Sequence, residues 1–184
     1  MIITISGAPG SGKSTIAKML SEKLNWPRYY IGGLRREKAR QKGLTLAEYN
    51  KLGESDLATD REVDRYQAEL AKKTDNFIIE GRTSWHFMPK SIKININVSE
   101  EEGARRVFEE TKKDNQRNED AELKAVSDVL QSHRKRIASD KMRYKKYYNI
   151  DAYDQSNYDF VVDTTRLTKD EAFAKVYEYV KNKI

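Results

Sequence analysis

Apolar positions along the chain alternate between two patterns. Short apolar or β-branched runs at Ile2-Ile3-Thr4-Ile5, Arg28-Tyr29-Tyr30-Ile31, Phe77-Ile78-Ile79, 92–98 and 158–163 read as five strands. Between them, apolar residues recur every three to four positions. Ile16, Met19, Leu20 and Leu24 mark one helix, and Val63, Tyr66, Gln67 and Leu70 another. A third carries Ala104, Val107 and Phe108, and the last turns Phe173, Val176, Tyr177 and Val180 inward. Helix starts are signalled by three capping boxes, at Thr45 with Glu48, Ser99 with Glu102 and Thr168 with Glu171. Thr59 or Asp60 is expected to cap the helix that runs to Lys73. Trp26-Pro27 ends the first helix, and Gly32-Gly33 is read as a turn into a basic helical segment that Gly43 breaks. Residues 112–120 are almost wholly polar and expected to be mobile, and a long helical stretch follows over about 121–148.

Strands alternating with helices predict an α/β fold of three layers, a five-stranded parallel sheet covered on both faces. Residues 34–73 then form a helical insertion between the second and third strands. The core comprises 1–33, 74–111 and 149–184, leaving about 112–148 as a lid region. Ligands of such sheets gather beyond the carboxyl ends of the strands.

The first strand runs into Gly7-Ala8-Pro9-Gly10-Ser11-Gly12-Lys13-Ser14-Thr15, a G-x-x-x-x-G-K-[ST] phosphate-binding loop between a strand and a helix, the context this motif requires. Its glycines let backbone amides approach a phosphate without a Cβ in the way, at a helix N-terminus whose dipole favours anions. Lys13 is placed to reach the β- and γ-phosphate oxygens of ATP, and the Ser14 hydroxyl to ligate the accompanying Mg²⁺.

Composition narrows the reading. The 184 residues suit one domain, and no apolar run approaches the length of a membrane span. The apolar start passes straight into the phosphate loop without a leader pattern, so a cytoplasmic protein is expected. Without cysteine there are neither disulfides nor thiolate metal sites. The net charge is +6, and 105–146 alone holds thirteen Lys or Arg against eight Asp or Glu, which localises the positive field.

Transfer of a phosphoryl group also needs an acceptor site, and forked arginine donors suit phosphate oxygens. Arg35 and Arg36 follow the second strand, Arg82 follows the third, and Arg134, Arg136 and Arg143 lie on the long late helix. Arg36 and Arg82 are candidates to hold an acceptor phosphate, with Arg134 and Arg143 descending from a closing lid. Glu80, with Gly81 before Arg82, stands where the second acidic motif of phosphate-loop enzymes belongs, at the end of the strand neighbouring the first. Asp60 and Asp64, one helical turn apart, are placed to share a face toward the acceptor.

Together these residues resemble the short, archaeal type of cytidylate kinase within the nucleoside monophosphate kinases. Besides the phosphate loop, the resemblance covers Gly32-Gly33-Leu34-Arg35-Arg36, Asp60-Arg61-Glu62-Val63-Asp64 with Gln67, and Glu80-Gly81-Arg82. Late in the chain it covers Arg143-Tyr144, Tyr147-Tyr148-Asn149-Ile150-Asp151, Tyr158-Asp159 and Asp163-Thr164-Thr165. It implies ATP-dependent phosphorylation of CMP or dCMP, with Arg36 and Arg82 matching the monophosphate-binding arginines and Arg134 and Arg143 those of the lid. Gly33-Leu34-Arg35 departs from the acidic and two apolar residues usual there, so Arg35 and Arg36 both stand as phosphate ligands. Trp85-His86-Phe87 is a second departure, and Trp85 is placed either to stack on a base or to pack in the core.

Another acceptor, AMP, UMP or a small metabolite as in shikimate-type kinases, is the alternative within the same chemistry. A nucleotide-dependent RNA or ribosome-associated factor is the alternative outside it. A GTPase is disfavoured by the lack of an N-K-x-D motif. A monomer is expected, with neither membrane nor nucleic acid as a partner.

Overall fold

The computed structural model describes residues 1–112 and 123–184. Five strands, β1 (Ile2–Gly7), β2 (Arg28–Tyr30), β3 (Phe77–Glu80), β4 (Ile92–Asn97) and β5 (Phe160–Asp163), form one sheet in the order β2-β3-β1-β4-β5. All four pairings are parallel, as expected for β-branched runs buried on both faces. Connections leave β1 first toward β2 on one side and later, from β3, across to β4 on the other. The crevice of such a sheet opens beyond the carboxyl end of the strand where the order reverses, here β1.

The helices among the described residues are α1 (Lys13–Leu24), α2 (Ile31–Gln41), α3 (Leu46–Gly53), α4 (Ala58–Lys73), the single turn α5 (Ser84–Phe87), α6 (Glu100–Thr111), α7 (Val126–Tyr148) and α8 (Lys169–Lys181). On one face of the sheet, Ile3, Ile5, Ile94 and Ile96 pack against Ile16 and Leu20 of α1 and Val176 and Val180 of α8. On the other, Phe77 and Ile79 meet Ile31, Val63 and Met88. Each such fully buried aliphatic side chain is worth about 1.5–3 kcal/mol relative to exposure. A satellite cluster of Ala104, Val107 and Val129 joins α6 to α7. No described helix is long and apolar enough to cross a membrane.

The polar stretch read from the sequence falls almost entirely in 113–122, outside the described residues, and α7 is described from Val126. Three local expectations are revised. Gly32-Gly33 is not a turn but the first turn of α2, which starts directly at Ile31. The Tyr30 ring lies over both glycines, 2.8 and 2.6 Å from where their Cβ atoms would stand, so the glycines make room for an aromatic ring. The helix to Lys73 starts at Ala58, whose amide donates to Asp56 Oδ1 at 2.9 Å; Asp60 is therefore released from capping and points inward. At α6 half of the expected box forms. Ser99 caps the Glu102 amide, while the Glu102 carboxylate turns to Arg105 and Arg106.

Register brings the site together. Ile5 and Tyr30 both lie opposite Glu80, so the loop after β1, the start of α2 and the loop after β3 emerge side by side. From the far side, α7 braces α3, with Tyr147 donating to Gly53 O at 2.9 Å and Lys146 Nζ to Glu54 O at 3.1 Å.

Candidate active site

The loop after β1 is shaped by two close approaches. Gly7 adopts φ 147° and Gly10 φ 74°, and a Cβ on them would stand 2.0 Å from Ile96 O and 2.2 Å from Gly103 O. Only glycine fits either place. Gly12, at φ 83°, is the N-cap of α1 and supplies no capping side chain, so the first amides of that helix face outward with its positive dipole end. Lys13 folds back across the loop and donates to Ala8 O at 3.2 Å. Gly7, Ala8 and Ser11 form the back of the loop. Pro9, Gly10, Gly12, Lys13, Ser14 and Thr15 line a cleft of about 290 Å³.

Glu80 closes the floor of this cleft. Its side chain is almost completely buried, and neither carboxylate oxygen has a hydrogen bond. Arg28 Nη1 lies 3.1 Å from Oε1 as an ion pair off hydrogen-bond alignment, and the same nitrogen donates to Ser14 O at 2.9 Å. Burial raises the Glu80 pKa, opposed by Ser14 and by the charges of Arg28, Lys13 and Arg36. Arg28 thus ties the second strand to the phosphate loop, a role invisible in a residue read only as part of a strand.

The other wall gathers Arg35, Arg36, Asp60, Asp64, Gly81 and Arg82. The two neighbouring arginines separate cleanly. Arg35 is buried, with Nε on Asn50 Oδ1 at 2.8 Å and Nη1 on Asp60 Oδ1 at 2.7 Å. Arg36 donates from Nη1 to the Tyr30 hydroxyl at 2.5 Å and to Gly32 O at 3.1 Å. Arg82 Nε donates to the Tyr153 hydroxyl at 2.6 Å and lies 2.9 Å from Asp140 Oδ2 as an ion pair, leaving Nη2 without a hydrogen bond. Burial works against the charge on Arg82, but Tyr153 and Asp140 outweigh it and raise its pKa.

Two late arginines lie elsewhere than the sequence reading put them. Arg143 does not line the cleft; it is fully buried beneath it, donating from Nη1 to both oxygens of Asp60 and from Nη2 to Asp140. Arg134 is largely exposed and pairs with Glu100 at 2.8 Å on the outer surface. The arginine that α7 turns into the cleft is Arg136, two residues on and therefore on the opposite side of the helix. Arg106 also reaches the cleft, anchored by Glu102 at 2.8 Å and by Thr164 O at 2.7 Å, and was not singled out in sequence. Trp85 packs edge-on against Tyr158, 5.9 Å between ring centres, rather than lining the cleft. A second cavity of about 390 Å³ lies on the outer side of the same loop, where Gly12 and Thr15 face Arg105, Arg106 and Thr168.

A strand-loop-helix phosphate cradle facing arginines across one cleft is the arrangement of a phosphotransferase, and comparison with known proteins agrees. An AAA domain family model matches residues 3–125. A cytidylate kinase of Methanocaldococcus jannaschii is 37% identical over 99% of this chain and 98% of its own length. One from Methanococcoides burtonii is 36% identical over 90% of this chain and 89% of its own. The chain belongs to the cytidylate kinase family. Among solved structures, an uncharacterized protein from Eubacterium ventriosum superposes with a TM-score of 0.71 at 20% identity, covering 98% of each chain. Shikimate kinase of Bacteroides thetaiotaomicron gives 0.65 at 16%, again over 98% of each. At those identities the structures speak for the shared fold alone, which this cytidylate kinase family member shares over its described residues.

Proposed function

We propose that this protein transfers the γ-phosphoryl group of ATP to CMP or dCMP, giving ADP and CDP or dCDP. The observation that carries the reading is the single cleft in which the uncapped N-terminus of α1, with Lys13 and Ser14, faces Arg36 and Arg82. Near-full-length similarity to curated cytidylate kinases supports the choice of acceptor.

Each group then has a task. The loop amides and Lys13 cradle the donor's β- and γ-phosphates. The cavity between Thr15, Arg105, Arg106 and Thr168 takes the remainder of the donor nucleotide, since it continues the same loop on the side away from the acceptor. Arg36 and Arg82 hold the acceptor phosphate in line. Arg36 is preferred over Arg35 because Arg35 is drawn into the pair with Asp60 and the hydrogen bond to Asn50. Arg136 comes from α7 to meet the transferring group. In this assignment 34–73 is the acceptor-binding insertion and 112–148 the lid.

The residues present fit a magnesium ion. A buried carboxylate that accepts no aligned hydrogen bond, Glu80, stands beside the phosphate cradle in an ion pair with Arg28, and the Ser14 hydroxyl is next to it. Ser14 would ligate the ion and Glu80 would orient its water shell. When bound, magnesium would neutralise charge on the donor's phosphates. The protein itself supplies position and electrostatics: it aligns acceptor oxygen with phosphorus, keeps Lys13 and the arginines on the developing charge, and excludes water.

The test is ADP formation from Mg-ATP with CMP, dCMP, UMP, AMP and GMP offered singly beside an acceptor-free blank. Turnover strongest with CMP or dCMP is expected. If every acceptor matches the blank, the reading fails.

A further inference from the structure

Among the described residues four carboxylates line the cleft, and three are already accounted for by position or partner. Asp60 is saturated by Arg35 and Arg143, Glu80 belongs to the phosphate end beside Ser14 and Arg28, and Glu110 projects from α6 on the far rim. Asp64 is different. It is nine-tenths buried, lines the cleft, and is held by two neutral donors. The Tyr148 hydroxyl donates to Oδ2, and Gln67 Nε2 donates to Oδ1 at 3.0 Å.

The orientation of Gln67 is itself set by its neighbours. Its Oε1 accepts from Ser84 Oγ at 2.6 Å, which turns Nε2 toward Asp64 and toward Thr83 Oγ1 at 3.4 Å. Tyr148 is packed between His86 and Phe87, with ring centres 5.8 and 5.6 Å away. Two braced donors thus hold a carboxylate whose charge no cation among the described residues contacts directly, with lone pairs left over on the cleft side. That is a fixed acceptor.

We propose that Asp64 distinguishes cytosine from uracil by accepting a hydrogen bond from the exocyclic amine of the acceptor base. This deepens the proposed CMP reading and rests on it. Cytosine presents an amine donor at the position where uracil presents a carbonyl acceptor. An acceptor-only group facing that carbonyl would be left unpaired and repelled, and a site built around a polar group rejects the mismatched analogue far more strongly than an apolar pocket does.

The experiment compares kcat/KM of the wild-type protein and Asp64→Asn for CMP, UMP and the pyrimidinone ribonucleoside monophosphate that lacks the exocyclic amine. In the wild type, CMP should exceed both other acceptors by about 10³-fold. Asp64→Asn should lower CMP turnover and compress the CMP-to-UMP ratio to about tenfold or less, because the amide can donate as well as accept. A purely structural Asp64 would lower stability and leave that ratio unchanged. A retained ratio in the variant, or equal use of CMP and the amine-free analogue by the wild type, overturns the proposal. The analogue decides even if the variant does not fold. Should the wild type phosphorylate neither CMP nor UMP, the acceptor reading itself has failed and takes this one with it; CMP turnover indifferent to both the amine and Asp64 removes only the role of Asp64.

Discussion

Arg143 Nη1 donates to both carboxylate oxygens of Asp60, at 2.6 and 2.7 Å, from a side chain with no solvent exposure. The pair joins α7 to α4 across 83 residues of sequence, and its other arm reaches Asp140, which in turn holds Arg82. Burial disfavours the charge on Arg143, but Tyr144, Asp140 and Asp60 restore it. Removing one member strands the others in a low-dielectric interior, which costs about 3–5 kcal/mol. Arg143→Ala is expected to lower the urea midpoint by that equivalent, and Arg143→Lys to recover only part of it, since an ammonium lacks the fork that spans Asp60 and Asp140. A midpoint within about 1 kcal/mol of wild type would show that the network is dispensable.

That pair also marks the boundary of what could be read from sequence. The phosphate loop was legible because its chemistry is local: strand, glycines, lysine and helix follow one another within Ile2–Leu24. The five strands and the parallel sheet followed from apolar runs alternating with helical spacing. Arg143 was visible as an arginine, but whether it served a ligand or Asp60 depended on a distant partner. Pattern alone does not tell Arg134 from Arg136, because α7 is polar on several sides and without a clear apolar stripe its rotational phase is not fixed. Gly32-Gly33 suggested a turn because the Tyr30 ring that occupies their missing side chains is a packing fact, not a sequence signal.

Lys13 should separate chemistry from stability. It is half-buried over the loop and donates to Ala8 O, so truncation removes one charge from the cradle without opening the core. Lys13→Ala is expected to reduce kcat by about 10²-fold or more while the melting temperature stays near wild type. Near-native turnover in a folded variant would refute the role given to Lys13.

The two candidate lid arginines make a paired comparison. Arg134 sits in an exposed pair with Glu100, worth about 0–1 kcal/mol, so Arg134→Ala should leave both stability and steady-state kinetics close to wild type. Arg136 lines the cleft, and Arg136→Ala should cut kcat/KM by about 10²-fold, in the range seen for loss of a single charge-stabilising donor. Steady-state kinetics on the two variants decide it, and the reverse pattern would return the role to Arg134.

Gly103 offers a test of how α6 supports the loop. A Cβ there would stand 2.7 Å from Pro9 O, and the contact is with backbone that cannot swing aside. Alanine normally favours a helix over glycine by about 1 kcal/mol. Gly103→Ala is nevertheless expected to raise KM for ATP several-fold, because the loop must shift to admit the methyl group. Isothermal titration with a non-hydrolysable ATP analogue would show the loss directly; unchanged affinity would mean that the loop yields without cost.

Asp64 carries a pH signature independent of activity. Burial pushes its carboxyl up to about 6 from an ordinary value of 3.8, with Asp60 adding to the rise and the Tyr148 hydrogen bond, Arg35 and Arg143 opposing it. A carboxyl with a raised folded-state pKa binds its proton more tightly when folded. Its favourable contribution is therefore complete below about pH 4 and lost as pH climbs through about 6. Asp64→Asn removes this titration while leaving Asp140, Glu80 and the other carboxyls to respond as before. The difference in unfolding free energy between the two proteins should shift in favour of the variant by about 2 kcal/mol on going from pH 4.5 to pH 7.5. Constant offsets from altered hydrogen bonds to Tyr148 and Gln67 cancel in that change, so urea titrations at the two pH values isolate the proton. A difference that does not vary with pH would place the Asp64 pKa at its ordinary value and mean that the cleft around it is wet.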